Sequence, residues 1–192
     1  LADAGVRMVT LTWNGPNALG SGNDTSHGLT GFGRSCVGEL EPRGIIVDVS
    51  HPHDAGFQDV CATARRPFAA PHSHARAVCG HPRNLADWQL RELADCGGIA
   101  GLNFCTQFLT DRLADPTPDD VLRHVDHVME TAGEDVLALG SDYDGCDVPS
   151  WLEPCDRIGA LHELPACEFG RDTADKVFFR NARDFFERAA HV

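Results

Sequence analysis

Gly44-Ile45-Ile46-Val47-Asp48-Val49-Ser50-His51 is the stretch on which the fold turns. It is short, almost continuously apolar and β-branched, and it ends abruptly in a histidine. A strand that alternates apolar and polar residues has one wet face, whereas an unbroken apolar run suits a parallel strand covered on both faces. Working outward, the same pattern recurs. Val6 to Thr12, Pro67 to Ala70, Gly98 to Phe104 and Val136 to Gly140 read as four further strands. Helical patterns lie between them. Thr117-Pro118-Asp119-Asp120 is a helix start, with a capping Thr, Pro in the first turn and acids at the positive end of the dipole. Val121, Leu122, Val125, Val128 and Met129 then share one face, and Gly133 stands at the C-cap position. Asn84 is expected to cap a second helix carrying Leu85, Trp88 and Leu93. Asp54 to Ala64 and Asp175 to Ala190 read as helices, Gly31 to Leu40 as a weaker one, and Asp144 to Gly170 as irregular chain rich in Pro, Cys and acids.

Strands that alternate with helices give a parallel α/β fold, and two architectures satisfy the pattern: an open doubly wound sheet and a (β/α)8 barrel. No G-x-G-x-x-G or Walker loop opens a helix, which weakens the nucleotide-binding version.

The 192 residues suffice for one domain with a sizeable core. Lys plus Arg is 16 against 29 Asp plus Glu, and the net charge of -13 opposes binding to nucleic acid. No run approaches the ~18 apolar residues of a spanning helix. The polar stretch from Glu187 to Val192 does not read as a lipid-anchor tail. None of the eight cysteines forms a C-x-x-C pair, which disfavours a zinc ribbon or a thioredoxin-type site. They read mostly as small buried hydrophobes, with one or two disulfides if the protein is exported.

Three residues suited to metals sit where strands end. Ile45 to Ser50 runs into His51, Phe68 to Pro71 into His72, and Leu137 to Ser141 into Asp142. In parallel α/β folds the C-terminal strand ends form the active-site face. Imidazole nitrogen and carboxylate oxygen are both zinc donors, so the spacing suggests a metallohydrolase.

Several segments resemble, in order, those of the membrane dipeptidase (renal dipeptidase) family of zinc peptidases, part of the metal-dependent amidohydrolase superfamily. Gly5-Val6-Arg7 with Thr10 to Asn14 is similar to its G-V-R-x-x-T-L-T-(H/W)-N stretch, and Asp48 to His51 to its D-(V/L)-S-H. His72 to Asn84 resembles H-S-N-A-R-A-x-x-x-H-P-R-N. Gly97 to Phe104, His124 to His127 and Gly140 to Gly145 resemble G-G-(V/I)-x-x-x-N-F, H-(V/L)-D-H and G-S-D-(F/Y)-D-G. Asn181 to Phe185 resembles the closing N-x-x-R-x-(F/L) helix more weakly.

The resemblance implies a (β/α)8 TIM barrel, incomplete here at about five of eight strands, so that residues 1-192 would be the C-terminal part of one dipeptidase domain. It implies two zinc ions per complete site, with His51 and His72 as ligands of one. Asp142 would be a ligand of the other and the proton carrier. Arg83 would bind the terminal carboxylate of a dipeptide substrate, a role that suits a planar guanidinium. His53, His74 and His81 have no ligand role in that pattern and are assigned to loops. His124 and His127 are assigned to helix packing or polar contacts, and Asp126 and Asp144 to structural positions. The family's His-x-Asp pair and bridging Glu have no counterpart here, Trp13 stands where animal members carry a His, and His74 replaces an Asn.

The implied reaction is dipeptide hydrolysis, including peptides with a C-terminal D-residue. The chain alone is expected to be an inactive fragment, with two parallel sheet edges and with apolar strand faces that need partners from further strands. The alternatives are another amidohydrolase acting on a cyclic amide or an N-acyl amino acid, or a non-catalytic fragment. A cytoplasmic location is expected, and homodimerisation is left open.

Overall fold

The computed structural model describes residues 1–153 and 155–190; the last two residues of the stretch read as a polar tail lie outside them. Five strands, β1 (Met8–Thr10), β2 (Ile46–Asp48), β3 (Ala69–Ala70), β4 (Ile99–Leu102) and β5 (Leu137–Leu139), form one sheet in the order β1-β2-β3-β4-β5. All four pairings are parallel. Adjacent parallel neighbours in chain order are the βαβ pattern that the alternating sequence predicts. The strands are shorter than their apolar runs, although backbone bonds from Val49 N–H to Ala69 O (2.8 Å) and from Gly140 N–H to Leu102 O (3.1 Å) continue the pairing beyond them.

The helices are α1 (Gly31–Leu40), α2 (Asp54–Thr63), α3 (Asp87–Cys96), α4 (Thr106–Leu109), α5 (Pro118–Ala132), α6 (Ile158–Glu168), α7 (Arg171–Asp175) and α8 (Asn181–Ala190). Val47, Val49, Phe68, Ala70, Ala100, Leu102 and Leu137 join Val37, Phe57, Val60, Leu90, Leu93, Val121, Val125 and Val128 from the helices in one buried core. On the other face, Phe185 of α8 packs on Ile46, Ala69, Ile99 and Ala138. Ile46, Ala69 and Ile99 are the first residues of their strands, so α8 covers the N-terminal ends of the sheet. The C-terminal ends remain for chemistry.

Four sequence expectations need correction. Of the apolar residues in Ile45 to Val47, Ile99 to Leu102 and Val136 to Leu139, all but the half-buried Leu139 are already buried, between the helices and Phe185, without further strands. Asn84 does not cap α3. Its amide donates to the carbonyls of Cys79 (2.9 Å) and Phe108 (2.8 Å), and the helix starts after Ala86, whose N–H is accepted by Gln89 Oε1 at 2.8 Å. The span Asp144 to Gly170 contains α6, where burial of Leu161 and Pro165 outweighs the cost of an internal proline. The last helix begins at Arg171, not Asp175, and passes through a wide π turn at Lys176–Arg180. Asn181 then donates to the carbonyls of Glu134 (2.6 Å) and Leu137 (2.7 Å), which satisfies a carbonyl of the terminal strand β5.

At Thr117 the capping contact runs the other way from the simple expectation. The Asp120 carboxylate accepts both the Thr117 N–H (2.7 Å) and its hydroxyl (2.9 Å). Arg112 and Arg123 pair with the same buried carboxylate.

His124 is wholly buried on α5. Its Nε2–H donates to Leu109 O at 3.1 Å and its Nδ1 accepts Ala75 N–H at 3.2 Å, so both nitrogens are used by the neutral ring. Burial pushes its pKa down to about 4. A folded pKa below the free value means that the unfolded chain binds the proton first, so stability is fully present above about pH 6.5 and is lost as pH falls towards about 4. The loss from this residue alone is about 3 kcal/mol. His74, also buried, is shifted in the same direction by burial and by His124. Urea unfolding between pH 7 and 4.5 should therefore show falling stability, and His124→Gln should flatten the slope by about one proton. An unchanged slope would show that His124 is not the neutral buried ring described.

Candidate functional site

His51 and His72 leave adjacent strand ends, and their imidazoles converge. Their Nε2 atoms lie 2.9 Å apart. His51 Nδ1–H donates to Asn14 Oδ1 at 3.0 Å, which turns the Nε2 lone pair towards His72. Asn23 donates to His51 O at 2.9 Å and Ser50 Oγ accepts His72 N–H at 3.2 Å, so both backbones are held as well as the rings. Beneath them the sheet has no room for side chains. A Cβ on Gly101 would fall 1.9 Å from Pro71 O, and one on Gly140 would fall 1.5 Å from the same atom. Both glycines let the β3 end, and with it His72, sit close over β4 and β5.

The electrostatics keep the two rings neutral. Burial, then Arg83, then His72 push His51 down to about 3. Burial also lowers His72, reinforced by Arg83 and opposed by Asp48 and Asp142. Arg83 is 5% exposed, and its Nη2 lies 3.3 Å from His51 Nε2 and donates to His72 O at 3.4 Å. Its Nη1 is buried without a partner, and no carboxylate pairs with the guanidinium among the described residues. Burial lowers its pKa to about 10, with Asp48 and Asp142 acting against that, so it remains a cation at neutral pH. The Phe108 ring lies 5.5 Å from its guanidinium carbon.

Asp142 follows β5 in a left-handed conformation, φ 60°, an uncommon one for a residue with a side chain. Asn103 Nδ2 donates to Asp142 Oδ2 at 3.0 Å and reaches His72 O at 3.3 Å, so this wholly buried amide links the β3, β4 and β5 ends. Arg83, His51 and Asp142 line one cleft with Trp13, Phe108 and Cys146, and Trp13 is 73% exposed there.

The donors meet part of zinc's requirements. Two ligand nitrogens on a tetrahedral ion stand about 3.3 Å apart, which follows from Zn–N bonds of about 2.0–2.1 Å. The observed 2.9 Å pair of neutral, forward-pointing nitrogens is close to that. No group of three His, Cys, Asp or Glu among the described residues is gathered tightly enough to hold an ion. Asp142 is therefore near the imidazole pair rather than joined to it.

The remaining histidines separate from this cluster. His53 Nδ1 accepts Ala55 N–H at the start of α2, and His81 Nδ1 accepts Arg83 N–H at 3.1 Å while its ring packs on Phe108. His74 lies in the loop after β3, with its ring wholly buried, bonded to Asn103 O and packed on His124. His127 pairs with Asp87 at 2.8 Å. Asp126 and Asp144 are exposed. Asn14 and Asn103 carry no assigned role in the sequence reading. Their places inside the T-L-T-W-N and N-F motifs were the available signal.

Residues 1–166 match the family model of membrane dipeptidase (peptidase family M19). The chain is 37% identical over 190 residues to a protein of the pqqA 5′ region of Klebsiella pneumoniae, covering 93% of this chain and 70% of that one. It is 33% identical over 148 residues to an uncharacterised dipeptidase of Schizosaccharomyces pombe, covering 73% and 36%. A metallopeptidase from Rhodobacter sphaeroides, solved with a phosphinate mimic of the dipeptide L-Ala-D-Ala, superposes with a TM-score of 0.92 at 34% identity, over 97% of this chain and 57% of that one. The chain thus spans little more than half of that solved relative, and its five parallel strands correspond to part of a TIM-barrel-like fold.

Proposed function

The chain belongs to the membrane dipeptidase family, peptidase family M19, and on that premise we propose that it carries the substrate-anchoring half of a zinc-dependent dipeptidase site. The observation that supports this most directly is Arg83, a buried cation in the cleft with an unpartnered Nη1 and no carboxylate partner among the described residues. An unpaired buried guanidinium is costly unless a ligand completes it. The free carboxylate of a dipeptide is such a ligand, with a geometry that matches the planar fork. A neutral cyclic amide offers nothing to that group.

His51 and His72 would hold one ion through Nε2, and Asp142 would contribute to a second. Bound zinc supplies a lowered water pKa and a polarised peptide carbonyl. Asn14 keeps the His51 proton on Nδ1, away from the donor atom. Asn103 occupies one oxygen of Asp142, so the other is left to take a proton from water and return it to the leaving amine. Trp13, exposed among the residues that line the cleft, would meet the substrate's apolar surface. Peptides ending in a D-residue are included among the proposed substrates, as the phosphinate ligand of the Rhodobacter sphaeroides relative mimics one. The sequence contains no counterpart of the family's His-x-Asp pair or bridging Glu. Two ions are therefore proposed only for a site that includes those groups; the donors present would hold one ion weakly, at His51 and His72.

The test is hydrolysis by the protein carrying this chain, supplied with zinc. Free dipeptides should be cleaved, whereas N-acetyl amino acids and cyclic ureides should not. Turnover of the acylated or cyclic compounds with dipeptides untouched would overturn the dipeptidase reading.

A further inference from the structure

The buried His74 has no part in the proposed peptide hydrolysis. Its ring is wholly buried and packs on that of His124, with centroids 4.2 Å apart. Its main chain is held on both sides. Leu85 N–H donates to His74 O at 2.7 Å, and the next N–H, that of Ala75, donates to His124 Nδ1 at 3.2 Å. From this fixed base the His74 Nε2–H donates to Asn103 O, just beyond β4, and no other donor reaches that carbonyl among the described residues. With the proton on Nε2, Nδ1 carries a lone pair, and that atom is buried without a partner. A buried polar atom left unpaired is costly, and an apolar side chain of similar size would avoid the cost. Packing therefore does not account for a histidine here, whereas the bond to Asn103 does. His74 stands where the family motif carries Asn, so this contact is a feature of the present chain.

Asn103 is the amide that joins the strand ends. Its Nδ2 donates to Asp142 Oδ2 at 3.0 Å and reaches His72 O at 3.3 Å, and its Oδ1 accepts Cys105 N–H at 2.6 Å. The side chain is wholly buried, so its direction follows the peptide that carries it. We propose that His74 is a positioning residue for the hydrolytic reaction: by holding the Asn103 carbonyl it aims the Asn103 amide, and through that amide it fixes one oxygen of Asp142. Without the donor, the Asn103 carbonyl is buried and unpaired, and the peptide between residues 103 and 104 turns to regain a partner. That turn carries Nδ2 away from Asp142 and from the His72 carbonyl together. The expected rate effect rests on the dipeptidase reading; the aim of the amide does not.

The test uses the protein carrying this chain with its complete site. His74→Leu keeps an apolar side chain against His124 and removes the donor, whereas His74→Gln keeps an Nε2–H at similar reach. His74→Leu should lower kcat for free dipeptides about 10- to 100-fold, the scale for an outer hydrogen-bond partner of a metal site, with KM within about twofold. Its unfolding midpoint should be unchanged or raised. His74→Gln should recover most of kcat. In the metal-free protein, nuclear magnetic resonance should show slow exchange of the Asn103 side-chain amide protons in the parent and in His74→Gln, and fast exchange in His74→Leu. If His74→Leu does not fold, His74→Met, an unbranched apolar chain without a donor, takes its place. An unchanged kcat in the variant without a donor overturns the positioning role, as do equal losses of kcat and midpoint in that variant and in His74→Gln. If the parent cleaves no dipeptide, the dipeptidase reading fails separately, and the amide exchange decides the role of His74: slow exchange persisting without the donor overturns it.

Discussion

In the protein carrying this chain with its complete site, His51→Ala and His72→Ala should each remove roughly one bound zinc per chain and cost activity by more than the about 10–100-fold that follows loss of an outer hydrogen-bond partner. The two rings are the only imidazoles in the described structure whose Nε2 atoms face each other, and Asn14 already fixes the tautomer of one. Removal of either leaves a single nitrogen at the site. A purely structural role predicts the opposite pattern. In the metal-free protein His51 lies against His72 and beside Arg83, and burial and that cation depress its pKa to about 3. It gains no opposite charge there, so its truncation should leave the metal-free unfolding midpoint unchanged or slightly raised. Atomic spectroscopy of the purified variants, with thermal unfolding after chelation, separates the two. Unchanged zinc content in both variants would remove the ligand assignment.

Arg83→Lys is expected to raise KM for free dipeptides by about 10- to 100-fold, while the effect on the corresponding dipeptide amides stays within a few-fold. Hydrogen bonds to charged groups contribute about 1.5–3 kcal/mol, which sets the scale. Lysine keeps the charge but loses the planar fork, so only the substrate with a carboxylate should register the change. The 5% exposure of Arg83 makes the contrast large, because little water is present to replace the lost bond. Equal losses on acid and amide would mean that Arg83 acts by holding His51 and the His72 carbonyl, both within 3.4 Å of its Nη2.

Much of the site could be read from residue order alone. His51, His72 and Asp142 stand out because each follows an apolar run, and the parallel sheet puts the ends of such runs on one side. Arg83 was found through the motif in which it stands and not by periodicity. What pattern reading missed was the supporting layer. Asn14 and Asn103 are polar residues in loops, and nothing in their spacing says that one orients an imidazole and the other joins three strand ends. His74 stands in a loop as expected, and only the fold shows that its ring is buried against His124.

The sequence by itself determined the parallel α/β class and the strand-to-loop transitions at His51, His72 and Asp142, because strand burial and helix amphipathicity are written in local periodicity. It also determined the motifs that carry the family. Only the tertiary structure decided that Phe185 covers the N-terminal strand ends, that α6 forms through Pro165, that Asn84 does not cap α3, and that Asn181 donates to the β5 carbonyl of Leu137. It alone also set the 2.9 Å approach of two neutral imidazoles beside an unpaired Arg83. These depend on contacts between residues far apart in the chain, where burial outweighs local preference and where the distance between two side chains is fixed by the register of the sheet beneath them.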